Sequence, residues 1–191
     1  MKNKLITAGI GGIFTLLLMP PLAYFETLWQ YNRLGTFYGK FFFFGLLASP
    51  LVYILFLQGF ILLAKKEKIP LLFWSGYLLI IFNLLYTAYL LWSRFFSFTD
   101  YKLVELGYII LSGLISIIFG LGLLKLGEIL GPLAKWAGWL TIISGIGFIT
   151  VIFIPAVFLL LITASVMEII ILFKVAKEEG DAKSAFSHQT G

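Results

Sequence analysis

The chain has 191 residues, 61% of them hydrophobic and only 12% charged, with a formal net charge of +5 and a mean hydropathy of +1.03. Soluble domains run near half apolar and a quarter charged, so this composition excludes an ordinary soluble fold and predicts an all-α, polytopic integral membrane helical bundle. The basic residues are scattered over several short loops, which argues against nucleic-acid binding, and the absence of cysteine excludes disulfides, thiol catalysis and iron–sulfur ligation.

The opening stretch "MKNKLITAGIGGIFTLLLMPPLAYF" has the basic start and apolar core of a signal peptide. Its best cleavage position follows Ala23 and places Pro21 where a small residue is required, so it reads as an uncleaved anchor and the first span. A helix needs about 20 residues to cross a hydrocarbon core of ~30 Å. Apolar runs of that length fall at about 5–24, 41–64, 70–92 and 106–126, followed by a single run over 132–174. One helix of that last length would measure about 65 Å, twice the membrane. It therefore divides into spans at 132–152 and 155–174, turning near "FIPAVF", where Pro155 removes a backbone donor.

Charge counting supports six spans with both termini cytoplasmic. The inner side then holds Lys2, Lys4, Lys65, Lys66, Lys68, Lys125, Lys135, Lys174, Lys177 and Lys183. The outer side holds Arg33, Lys40, Arg94 and Lys102, a split of ten against four. Five spans would move the last three lysines outside and erase the bias. Trp74, Trp136 and Trp139 fall near inner helix starts and Trp29 and Trp92 on the outer side, as an aromatic belt requires. The transmembrane domain covers 1–177, and the polar tail 178–191 is expected to be disordered. The only histidine, His188, lies in that tail and reads as solvated. The expected location is the cell (plasma or inner) membrane.

Two segments are alike: "PLLFWSGYLLII" at 70–81 and "PLAKWAGWLTII" at 132–143, sharing P-L-x-x-W-[SA]-G-[YW]-L-x-I-I at an offset of 62 residues. Each follows an apolar helix that ends in a short charged loop. Spans two–three and four–five thus read as tandem copies of one helical hairpin, about 50–90 and 112–152, with span six resembling the first helix of the hairpin more weakly. Proline suits a first helical turn, tryptophan an interface, and small residues a close helix contact, so the motif reads as structural. Internal repeats are also frequent in transporters.

Ser112, Ser116 and Gly120 recur every four residues in span four, as Ala8 and Gly12 do in span one; both read as packing faces. No HExxH motif, paired aspartates, phosphate loop or histidine–carboxylate pair is present. "GLGLLKLG" lacks the preceding strand that a phosphate loop needs. No cofactor or metal site is expected, and no enzymatic activity.

Four polar residues remain as candidates: Glu168, Gln58, Lys125 and Asn83. Glu168 is six residues before Lys174, about 9 Å from the cytoplasmic boundary, and Gln58 is seven before Lys65, at nearly the same depth. Lys125 ends span four and can snorkel to the interface, and Asn83 reads as an interhelical hydrogen bond. Glu168 then either pairs with Lys125 or Gln58 to hold helix register, or forms a proton or cation site facing a cytoplasmic vestibule. The first function expected is a non-enzymatic scaffold or accessory subunit acting through helix–helix contacts. The alternative is a small transporter or channel using an inner-leaflet polar site around Glu168. Its partners are the lipid bilayer and other membrane proteins or a second copy of itself.

Overall fold

A computed structural model of the protein describes residues 1–30, 36–96, 101–150 and 154–187. Arg33, His188 and residues 151–153, where the turn is expected, lie outside the described residues, as do the side chains of Trp29, Arg94, Lys102, Pro155 and Lys183. The described residues form six α-helices and no strand: α1 (Lys2–Gln30), α2 (Thr36–Lys66), α3 (Pro70–Phe96), α4 (Tyr101–Leu130), α5 (Pro132–Thr150) and α6 (Ile154–Ser187). Each is long and apolar enough to cross a membrane. The long apolar run at 132–174 does divide into two helices, α5 and α6, on either side of 151–153.

The two turns at 67–69 and 131 show how the chain reverses. Pro70 and Pro132 open α3 and α5, where a missing backbone N–H costs nothing. After α2, Lys68 adopts φ 55° and the Ile69 N–H donates to the Ala64 carbonyl at 2.9 Å, the six-to-one bond of a Schellman cap. After α4, Gly131 takes φ 93° and its N–H donates to the Gly127 carbonyl at 3.0 Å, the simpler left-handed cap. The two hairpins therefore turn by different devices.

Helix neighbours follow chain order and close on themselves: α1 packs on α2, α2 on α3, and so on to α6, which returns to α1. Six helices thus ring a common centre. Within the ring α4 and α5 approach most closely. A Cβ on Gly138 would lie 2.8 Å from the Gly120 carbonyl oxygen, and one on Gly113 would lie 2.7 Å from that of Gly145. Only glycine permits backbones this near.

One end of the ring carries the start of α1 and the end of α6 together with the α2–α3 and α4–α5 turns. There the Met1 ammonium lies 3.9 Å from Glu179 and Lys66 lies 2.9 Å from the same carboxylate. These contacts differ from the expectation of a disordered tail beginning at residue 178: α6 continues as helix to Ser187. Extending an existing helix incurs no nucleation cost, and Glu178 and Glu179 find partners in Lys174, Lys66 and Met1. We call this the basic end and the opposite one the distal end.

The surface is inverted relative to a soluble protein. Trp74 and Trp136 are 65% and 61% exposed, whereas Glu168 is 5% exposed. In both copies of the shared motif the tryptophan faces outward, and the next residue, Ser75 or Ala137, is buried. The motif glycines face the preceding helix, Gly76 against Ile61 and Gly138 against Gly120 and Leu124. Apolar side chains from every helix, among them Leu5, Phe60, Leu72, Leu123, Ala137 and Leu172, fill the centre of the basic half. Among the described residues the distal half has a small cluster around Phe42, Leu46 and Leu90.

Candidate functional site

Because the basic half is filled and the distal half is not, a space remains inside the ring. It is a cavity of about 560 Å³ to which all six helices contribute. A cavity of this size matches that of a drug-sized ligand site.

Its inner limit is Glu168, on the buried face of α6. The Thr141 hydroxyl of α5 lies 3.1 Å from Glu168 Oε1 and 2.8 Å from the Ala137 carbonyl. A hydroxyl has one hydrogen to give, so two acceptors compete for it. A proton on the carboxyl, or a cation beside it, would complete the set. Thr141 is nine residues from each end of α5, about 14 Å either way, so the pair sits at the middle of the bundle. The depth estimated from Lys174 was shallower, because α6 does not end at that lysine.

Toward the distal end the lining becomes aromatic and polar. Tyr86 of α3 and Tyr108 of α4 stack with centroids 3.7 Å apart and planes at 11°, and Phe82 stacks with Tyr108 at 5.8 Å. The Tyr108 hydroxyl lies beside Asn83 and Ser112. Tyr86 donates from its hydroxyl to Glu26 Oε1 at 3.0 Å. Glu105, in the first turns of α4, also lines this part. Three carboxylates thus face the cavity, and among the described lining residues there is no lysine, arginine or histidine.

Prolines mark the same half. Pro20 and Pro21 lie inside α1 and Pro50 inside α2. A proline within a helix frees the carbonyl four residues earlier, and Ser49 compensates one such break by donating to the Leu46 carbonyl at 3.4 Å.

The four residues singled out from the sequence separate into two groups. Glu168 and Asn83 line the cavity, and Asn83 Oδ1 is buried with no hydrogen-bond partner among protein atoms. Gln58 and Lys125 are exposed on the outside of the ring, so neither pairs with Glu168. Gln58 is at the right depth, since Phe56 of α2 and Ile169 of α6 both meet Gly12 of α1. Depth and azimuth are independent on a helix, however, and Gln58 is on the wrong face. Ser112 and Ser116, read as packing residues, line the cavity, while Gly113 and Gly120 make the close contact to α5.

Comparison with known protein families, with curated proteins and with solved structures found no match. The arrangement must therefore be read from its own chemistry. Among the described residues, no three histidine, cysteine or acidic side chains converge as a metal site would need. What the cavity offers instead is a buried carboxylate, aromatic side chains, several hydroxyls and an amide.

Sequence reasoning missed Glu26, Glu105, Tyr53, Tyr86, Tyr108 and Thr141. Glu26 and Glu105 lie just beyond the apolar windows at 5–24 and 106–126, where a carboxylate reads as loop. The mid-span tyrosines carried a signal, since a phenol at that depth needs a polar partner.

Proposed function

We propose that the protein is a multi-pass membrane carrier of a small solute, non-enzymatic, with Glu168 selecting the solute at the inner limit of the central cavity. The observation that carries this reading is the cavity itself: a ring of six helices that leaves about 560 Å³ inside, with a buried carboxylate at mid-depth. A bundle acting only through its outer faces has no use for such a space, and close packing would remove it. The tandem hairpin motif fits the reading, because carriers built from repeats hold substrate at the midplane between them. With the termini cytoplasmic, as the lysine bias argues, the cavity extends toward the extracellular side and the apolar plug closes it from the cytoplasm. That polarity is opposite to a vestibule on the cytoplasmic side.

The chain lacks cysteine, so single cysteines test the proposal cleanly. Ser116→Cys lies in the cavity and Thr163→Cys on the exposed face of α6. In sealed vesicles a small, membrane-impermeant thiol reagent added on the extracellular side should modify Ser116→Cys and leave Thr163→Cys unreacted. If Ser116→Cys is inert from both sides, the cavity is closed to water and the carrier reading fails.

A further inference from the structure

We infer that the ligand of this cavity is an organic monocation, an ammonium or guanidinium carried on an apolar body, bound with its charge at Glu168 and its body among the aromatic rings. This rests on the reading of the cavity as a ligand site and adds the chemical class.

Charge is the first argument. Glu105 and Glu168 line the interior, and among the described lining residues there is no cationic side chain. The lysines of α4 and α5, Lys125 and Lys135, are exposed outside the ring. In a surrounding of low dielectric this arrangement favours a positive guest and repels an anion.

Hydrogen bonding is the second. Among the described residues, Thr141 is the one hydrogen-bond partner of Glu168, and its single hydrogen is shared with the Ala137 carbonyl. Asn83 Oδ1 is buried and lacks a donor. The Tyr86 hydroxyl is already committed to Glu26. Glu168 and Asn83 Oδ1 thus keep acceptor capacity, and an ammonium, which is all donor, complements it.

Shape is the third. Phe56, Phe82, Tyr86, Tyr108 and Phe119 line the cavity, suited to an apolar body. A bare metal ion does not fit. Ile169 is level with Gly12, and Glu26 lies fourteen residues further along α1, so Glu26 and Glu168 stand about 21 Å apart along the bundle. The plug of Leu5, Phe60 and Leu172 beneath Glu168 stops a headgroup at that level.

Three probes of equal length separate the possibilities: 4-phenylbutylammonium, neutral 4-phenylbutanol and anionic 4-phenylbutyrate. Binding to the full-length protein in nanodiscs is measured by equilibrium dialysis, with empty nanodiscs subtracted. The ammonium should bind roughly tenfold or more tightly than the alcohol, as a charge-assisted contact does. The carboxylate should not compete. Glu168→Gln should remove the preference and leave the weak binding of the alcohol intact. Glu168→Asp, which keeps the charge, should retain a preference, and the wild-type preference decides the matter if Glu168→Gln does not fold. Equal binding of ammonium and alcohol overturns the cation inference while the ligand cavity stands. Failure of all three probes to bind overturns both.

Discussion

Thr141 and Glu168 are twenty-seven residues apart in the chain and 3.1 Å apart in the bundle, a polar contact that joins α5 to α6 in the buried centre. Its geometry makes opposite predictions for its two members. Thr141→Val leaves a buried carboxyl without its partner and should cost about 1–3 kcal/mol, read as a lowered thermal midpoint of the purified protein. Glu168→Gln keeps an acceptor for Thr141 and removes the burden of desolvating a charge, so stability should be equal or slightly higher. Strong destabilisation by Glu168→Gln would mean that the charge itself holds the bundle together.

The glycine contacts of α4 and α5 predict an asymmetry between the two hairpins. A methyl at Gly138 meets the Gly120 carbonyl oxygen at 2.8 Å, and that oxygen belongs to a rigid backbone. A methyl at Gly76, the corresponding motif position, meets the flexible side chain of Ile61 at 3.0 Å. Gly138→Ala should therefore force the helices apart at a cost of about 1–3 kcal/mol, and Gly76→Ala should cost distinctly less. Thermal midpoints of the two variants, measured side by side, check the order.

How far such detail could be read in advance varies with the kind of information it needs. The number of helices follows from one-dimensional quantities: run length, a final run too long for one crossing, and Pro155 within it. Depth also follows from rise per residue, but only if the helix end is known. Counting from Lys174 gives Glu168 a shallower depth than the bundle does, because the ion pairs that carry α6 past that lysine involve Met1 and Lys66, far away in sequence. Azimuth was harder still. All six helices are apolar on most of their surface, so no hydrophobic stripe tells which side of α2 carries Gln58 inward or outward. The closed ring and its cavity depend on which helices become neighbours, and no local pattern encodes that.

The topology has a direct check. The start of α1, the end of α6 and two of the turns share the basic end, and ten of the fourteen lysines and arginines fall on that side in the six-span reading. Reporter fusions after residue 100 and after residue 184 should report opposite sides of the membrane, with the second cytoplasmic. Reporting from the same side contradicts the six-span arrangement.

The most direct test of the account concerns whether Glu168 can be reached from water at all. Wild-type protein in nanodiscs is treated with a small water-soluble cationic carbodiimide and a nucleophilic amine, and modification is quantified residue by residue by mass spectrometry. Glu178, with a side chain 57% exposed, serves as the internal reference. The account predicts that Glu168, although only 5% exposed, is modified at a measurable rate and is protected by 4-phenylbutylammonium. Complete modification of Glu178 with Glu168 untouched would contradict it, and would leave Glu168 as a buried structural carboxyl in a sealed bundle.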